Sequence, residues 1–328
     1  MLDPLPVTRV ELELTELCNQ RCMFCYNSCQ PVTCDHPEKL LKSLSEAGVF
    51  EIILTGGEPS MHPRFLDVLQ YATSLFPRVM VQSNGVNFAD ASFFALLNSH
   101  PIFCLNFSLH GPEETHDKLT GSIGGFAKTI TALHSATKAG IRTASNLVLT
   151  ALNSEPAMLE ETVKILDEAG VREMTLTRFI PCGLGQSALE LATNPEIFSQ
   201  AIDALRSATS QRGISLLLAN ATPSCRLPAH QRDLCNRCSF GFDKFYVDVR
   251  GNVLTCGMAR ISLGNLFTTP LHDLLHASKI YRDFRNLNHI PQHCRLCPEL
   301  SECGGGCRAA ALASQGHIAA DDPFCFTT

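Results

Sequence analysis

The 328-residue sequence predicts an α/β protein, a partial (β/α)6 TIM-like barrel followed by a small cysteine-rich domain with a short β-hairpin. Three observations carry this. Strand and helix patterns alternate six times with little between them. Each repeat takes roughly 35 residues, close to the 30 or more of a βαβ unit, and helical crossovers make the joined strands parallel. Beyond Ala219 the helical patterns thin out and cysteines crowd in, from Cys225 to Cys325. A closed barrel of eight units needs about 250 residues, so six units leave one side open to a large substrate. The expected domains are therefore residues 1–220 and 221–328.

Apolar or alternating runs predict strands at 10–14, 51–55, 78–83, 102–109, 143–150 and 173–180. Between them, helical spacing predicts crossovers at 38–47, 63–74, 89–97, 125–139 and 156–169, with a sixth helix at 195–211. In parallel α/β folds the working residues gather at the carboxyl ends of the strands. The marked sequences sit there: Cys18, Cys22 and Cys25 after the first strand, Gly56-Gly57-Glu58-Pro59 after the second, Ser83-Asn84-Gly85 after the third, and Ser108-Leu109-His110-Gly111 after the fourth.

Composition bounds the class. Hydrophobic residues make up 45% of the chain, enough for a sizeable core. Sixteen cysteines fall below the roughly 8–10% of a disulfide scaffold, and no basic region followed by an apolar stretch opens the chain. The thiols are therefore expected to be free for metal in a reducing cytoplasm. No apolar run approaches the roughly 20 residues of a membrane span. A net charge of −6 with scattered Lys and Arg argues against a nucleic-acid partner.

The C-x3-C-x2-C spacing of Cys18, Cys22 and Cys25 suits one cubane of iron and sulfide whose fourth iron has no protein ligand and stays open to a cosubstrate. A zinc site drawing on Cys29, Cys34 or His36 is the alternative reading. About 30 residues on comes T-G-G-E-P at Thr55–Pro59. The two motifs, in order and on consecutive strand ends, resemble the radical S-adenosylmethionine enzymes. The resemblance implies that S-adenosylmethionine chelates the open iron, and that one electron from the cluster cleaves it to methionine and a 5′-deoxyadenosyl radical. It further implies that Gly56 and Gly57 let backbone approach the methionyl end, that Pro59 belongs to the same cofactor-binding turn, that Glu58 accepts from the ammonium, that Ser83 and Asn84 face the ribose, and that Ser108 and Arg178 lie on the carboxylate side. Taken alone, Arg178 reads equally as a salt-bridged strand residue.

The second region resembles the SPASM extension of that family: Cys238, then Gly251 and Cys256, then Cys294-x2-Cys297-x5-Cys303-x3-Cys307, then Cys325. Residues 245–249 and 252–255 around Arg250-Gly251 match its hairpin. The similarity implies two auxiliary clusters, one on Cys235, Cys238, Cys256 and Cys307 and the other on Cys294, Cys297, Cys303 and Cys325, for three [4Fe-4S] clusters in all. Cys225 is an alternative to Cys235, and an open iron is another; zinc is the competing reading of Cys294–Cys307.

Two residues are candidates for chemistry. His110 stands where many SPASM enzymes carry aspartate, and an imidazole there could act as base or donor. Cys182, after the sixth strand, could give a hydrogen atom to a substrate radical. Glu113, His116, Asp117 and residues 121–126 resemble the family's loop and are read as organising a helix start.

The expected activity is hydrogen abstraction followed by oxidation, crosslinking or epimerisation, with auxiliary clusters relaying an electron and a flavodoxin or ferredoxin supplying the first one. The expected substrate is a ribosomally made peptide. Alternatives within the class are a sugar, nucleoside or tetrapyrrole; outside it, a non-catalytic iron–sulfur or zinc protein for sensing or electron transfer. Because the first strand begins almost at the N-terminus, leader recognition is expected to fall to a separate chain.

Overall fold

The protein is described by a computed structural model that covers residues 6–325. The barrel segment runs β1 (Arg9–Glu13), α1 (Pro37–Glu46), β2 (Glu51–Thr55), α2 (Phe65–Leu75), β3 (Arg78–Ser83), α3 (Ala91–Leu97), β4 (Cys104–Ser108), α4 (Glu113–Thr120), α5 (Gly125–Lys138), β5 (Thr143–Leu149), α6 (Pro156–Glu168), β6 (Glu173–Arg178), α7 (Pro195–Gln211) and β7 (Ser215–Leu218). The C-terminal region adds β8 (Lys244–Val247), β9 (Asn252–Leu254), β10 (Ser262–Asn265), α8 (Leu271–Ala277), α9 (Lys279–Arg285), α10 (Leu300–Cys303) and α11 (Arg308–Gln315).

Local chemistry explains the element ends. Prolines open α1, α6 and α7 at positions where the missing N–H costs nothing. Asn194 caps α7 by accepting from Ile197 N at 2.8 Å, and Asp90 caps α3 by accepting from Phe93 N at 2.8 Å. The alternating strands put Val79, Val81, Leu105, Phe107, Leu147, Leu149, Met174 and Leu176 against the helices in one buried core.

The ten strands among the described residues form one sheet, in the order β10-β9-β8-β1-β2-β3-β4-β5-β6-β7. Strands β1 to β7 pair in parallel as a partial barrel. Two features depart from the six-unit expectation. A seventh parallel strand, β7, follows α7 and pairs with β6; it is short, and its alternate residue Leu217 is half exposed, so its run of leucines lacks a clear strand period. The expected hairpin forms as β8 and β9, but it is not set apart: β8 pairs in parallel with β1, Val10 opposite Phe245, and carries the sheet into the C-terminal region.

Helix α4, unpredicted as a helix, supports the triad loop. Arg21 N and Met23 N donate to Thr120 O and Leu119 O, both at 2.9 Å. Asp117 in turn accepts from Gly124 N at 2.5 Å and Phe126 N at 2.8 Å, ordering the start of α5. Among the described residues no helix is long and apolar enough to cross a membrane.

Candidate functional site

Strand β1 ends beneath a loop that brings Cys18, Cys22 and Cys25 to the carboxyl edge of the sheet. The loop is held from beneath by the Gly-Gly-Glu turn: Gly57 N donates to Thr15 O at 2.7 Å and Glu58 N to Leu17 O at 2.8 Å. A Cβ on Gly56 would lie 2.4 Å from Thr15 O, and one on Gly57 2.4 Å from Leu17 O. The two glycines are thus required by the cysteine loop pressing on them, a use the sequence had assigned to an approaching ligand.

Glu58 joins the second and third strand ends. Its buried carboxylate accepts from Ser60 N at 3.1 Å, Ser60 Oγ at 2.5 Å, Ser83 Oγ at 2.9 Å and Asn84 N at 2.8 Å. Burial raises its pKa against the pull of these donors. Because both oxygens are engaged, Glu58 can take an ammonium only by releasing one of them. The Ser83 hydroxyl is likewise committed. Asn84 faces the thiols: its Nδ2 lies 3.7 Å from Cys18 Sγ and donates to Asn19 Oδ1 at 2.6 Å. Pro59 opens the short turn that Glu58 caps, and Ser108, half-buried, ends β4 opposite Asn146.

The triad cysteines are half-buried, and desolvation pushes the Cys18 thiol up to about 11 and Cys22 higher still. A hydrogen bond with Cys29 and burial raise Cys25. Free thiols here stay protonated, so iron would have to displace their protons. The surroundings fit that state: Gln20 N at 3.4 Å and the Asn84 amide donate toward Cys18 Sγ, as outer hydrogen bonds tune a cluster sulfur. Among the described residues no three His, Cys, Asp or Glu groups converge on one ion. Ligands of a cubane need not, since each holds a different iron. Of the three residues that the alternative zinc reading drew on, Cys29 is the one beside the triad: its Sγ lies 3.9 Å from Cys25 Sγ, with its backbone left-handed at φ 51°.

His110 is not placed as a base. Its Nδ1 accepts from Val148 N at 3.1 Å, which leaves the proton of the neutral ring on Nε2. Its backbone N donates to His116 Nδ1 at 3.2 Å, and the two rings stack 5.7 Å apart. Burial, then the neighbouring His116, hold its pKa well below the ordinary value. The ring can donate from Nε2 and stay neutral. Phe24, between Cys22 and Cys25, meets it edge-on at 4.6 Å.

Arg178 is corrected. Its guanidinium makes two bonds to Asp322, NH1 to Oδ1 at 2.9 Å and NH2 to Oδ2 at 2.8 Å, and Asp322 Oδ2 also accepts from Cys307 N at 2.7 Å. Burial opposes the charge, but Asp322 outweighs it and holds the guanidinium above its ordinary range. Rather than waiting for a cofactor carboxylate, the residue ties β6 to the C-terminal region.

The remaining cysteines fall into two groups. Cys182, Cys238 and Cys256 pack with Cys307 around Ile180, Ala221, Ala309 and Ala310. In the other group, Cys325 pairs with Cys225, Cys294 neighbours Cys303 and Cys297, and Cys235 neighbours Cys303 and Cys225. Burial lifts Cys294 to about 11 and Cys325 to about 12. Cys225 thus sits with the second set, not the first. Cys104 and Cys34 are buried core residues.

Beside the triad loop lies a cavity of about 290 Å³ lined by Glu16, Tyr26, Ser28, Gly183, Arg250 and Arg260. Its arginines are paired, Arg250 with Glu16 and Arg260 with Glu13, each at 3.3 Å.

The sequence profile of the radical SAM superfamily matches residues 12–166, and that of the SPASM iron–sulfur cluster-binding domain matches residues 235–298. The AdoMet-dependent heme synthase of Methanosarcina barkeri is 23% identical over 95% of this chain and 94% of its own length. The PqqA peptide cyclase of Streptomyces rochei is 25% identical over 96% and 88%. Among solved structures, Streptococcus suis SuiB bound to S-adenosylmethionine superposes with a TM-score of 0.78 at 16% identity, over 99% of this chain and 78% of SuiB.

Proposed function

The chain is a radical S-adenosylmethionine enzyme with a SPASM domain, and from that premise we propose that it is a maturase acting on a peptide, with three [4Fe-4S] clusters, one at the triad and two on the C-terminal cysteine groups. When bound, the triad cluster and S-adenosylmethionine supply one-electron cleavage of a carbon–sulfur bond and a 5′-deoxyadenosyl radical. Cys18, Cys22 and Cys25 hold the cluster, with Gly56, Gly57, Glu58, Ser83 and Asn84 fixing the loop beneath it. In a net oxidation the substrate would lose one hydrogen atom, then one proton and one electron, and a cluster held by the C-terminal cysteine groups would supply the acceptor for that electron. A small redox protein of the flavodoxin or ferredoxin type restores the triad's electron.

The observation that carries the peptide reading is the inner face of the sheet. Alternation turns Gln82, Asn106, Asn146, Thr175 and Thr177 away from the helix-packed core, with Thr177 Oγ1 donating to Asn146 Oδ1 at 2.6 Å and Asn106 Oδ1 buried without a partner. Lys244, on the same face of β8, is neutralised by Glu11 at 2.7 Å. An uncharged row of amides and hydroxyls suits the donors and acceptors of a peptide backbone better than a polyanion. A tetrapyrrole is the second reading, supported by the similarity to a heme synthase.

The test is anaerobic reconstitution with iron and sulfide, then incubation with S-adenosylmethionine, dithionite and either a candidate precursor peptide, sought as a short open reading frame beside the gene, or an iron porphyrin with propionate side chains. The proposal expects substrate-dependent 5′-deoxyadenosine release and a peptide lighter by two hydrogens. Release stimulated only by the porphyrin would move the substrate to the second reading.

A further inference from the structure

The turn after β6, Phe179-Ile180-Pro181-Cys182-Gly183, lies between the triad loop and a C-terminal cysteine group. On one side Gly185 N donates to Cys25 O at 2.9 Å and Leu184 N to Asn27 O at 3.2 Å. Gly183, at φ 57°, leaves no room for a side chain, since a Cβ would lie 2.1 Å from Tyr26 O. On the other side Cys182 packs with Cys238, Cys256 and Cys307. Cys235, which the family resemblance assigns to that set, belongs to the main barrel core instead.

We infer that Cys182 is the fourth protein ligand of the first auxiliary cluster, together with Cys238, Cys256 and Cys307. The inference rests on the proposed presence of a cluster at this group and names the residue that completes it. Four thiols on four separate segments then surround one site, each giving up its proton to hold one iron. The barrel contributes a ligand to a cluster otherwise held by the C-terminal region. Arg178 and Asp322 brace the same junction, with Asp322 bonded to the Cys307 N–H. This ligand role replaces hydrogen-atom donation, which needs a free thiol. It also gives a direct connection between redox centres. From Cys182 the chain runs three residues to Gly185, whose N–H is bonded to the carbonyl of the triad ligand Cys25.

Cys235 is the competing ligand, because it lines an open cavity of about 600 Å³ with Cys238, Arg237, Ser239, Arg285 and Glu302. Full-length Cys182→Ala, Cys182→Ser and Cys235→Ala proteins, reconstituted with iron and sulfide, would be compared by iron and sulfide content and by EPR after dithionite reduction, with and without S-adenosylmethionine. The signal that responds to S-adenosylmethionine reports the triad cluster and serves as the control for folding. Cys182→Ala is expected to lose one unresponsive signal, or convert it to a three-iron form. Cys182→Ser, whose oxygen can still bind iron, should keep the cluster with a shifted signal. Cys235→Ala should match the parent. Loss of that signal in Cys235→Ala, or an unaltered signal in both Cys182 variants, overturns the assignment. A combined Cys238→Ala/Cys256→Ala/Cys307→Ala protein with the parent's iron content would show that no cluster sits at this group, and would overturn the underlying cluster reading together with the assignment of Cys182.

Discussion

Arg178, the last residue of β6, and Asp322, near the C-terminus, form a two-pronged ion pair that solvent scarcely reaches, at 2% and 0% side-chain exposure. The pair spans almost half the chain and joins the barrel to the C-terminal cysteines. Its Nε has no partner, and the Phe324 ring lies 4.1 Å from the guanidinium carbon.

Removing one partner leaves a buried charge uncompensated. Asp322→Ala is expected to lower unfolding stability by about 3–5 kcal/mol, and the double variant Arg178→Met/Asp322→Asn, which removes both charges yet keeps an amide oxygen for the Cys307 N–H, should recover part of that loss. Anaerobic urea unfolding measures both. A single variant with an unchanged midpoint would show that the pair is not braced as described.

Glu58→Gln keeps the shape but brings an NH₂ toward Ser60, Ser83 and Asn84, which are already donating. Leaving such a donor facing a donor costs about 1–3 kcal/mol. Formation of 5′-deoxyadenosine should fall at least tenfold, roughly what 1.4 kcal/mol in the barrier gives. Ser83→Ala, which removes one donor and introduces no clash, should be milder. Equal activity in Glu58→Gln and the parent would refute the joint role of this carboxylate.

Gly57→Ala puts a methyl group 2.4 Å from Leu17 O and 2.5 Å from Glu16 O. Both contacts are backbone, so the cysteine loop itself must move. The S-adenosylmethionine-responsive EPR signal should weaken or vanish while the other cluster signals persist. An alanine variant that retains all signals equally would mean the loop has slack the structure does not contain.

His116 and His289 are both lowered to about 4 by burial, from an ordinary 6.5. The unfolded chain therefore binds more protons than the folded one between about pH 4 and 6.5. Their contribution is complete above 6.5 and is lost as pH falls through that window. The urea midpoint should drop between pH 6.5 and 4.5, by an amount worth on the order of 1–3 kcal/mol per histidine. A flat profile over that range contradicts their burial. Because His110 also stays neutral, the rate between pH 6 and 8 should show no inflection due to it, and His110→Phe should cost stability by orphaning the Val148 N–H.

Much of the barrel was legible because strands such as β3 alternate and because α1, α6 and α7 open on proline and α3 on the Asp90 cap; strands 51–55 and 78–83 and helix 195–211 fall where spacing puts them. The C-terminal helices and β7 were not, since short elements lack a full period to read. At the site, the thiols and the four strand-end motifs are visible in sequence because they are consecutive. Partnerships are a different matter. That Glu58 turns to Ser83, that Arg178 finds Asp322, and that Cys182 joins Cys307 depend on contacts between distant segments, which no local spacing encodes. His110 illustrates the limit: its residue type suggested a base, and only the Val148 N–H fixes which nitrogen holds the proton.

The parallel pairing of β8 on β1 sets an order of events in the cell. Residues 9–13 are made first, yet their outer neighbours are residues 244–247. At about 5–20 residues per second of synthesis, β1 stays an unpaired edge for on the order of 10–50 s. Throughout that time the nascent barrel exposes a ready template for wrong pairing, and the cysteine loop above it is reachable from the side that β8 later closes. A chain ended at residue 243 should reproduce this stage permanently, and it should aggregate where the full-length protein does not.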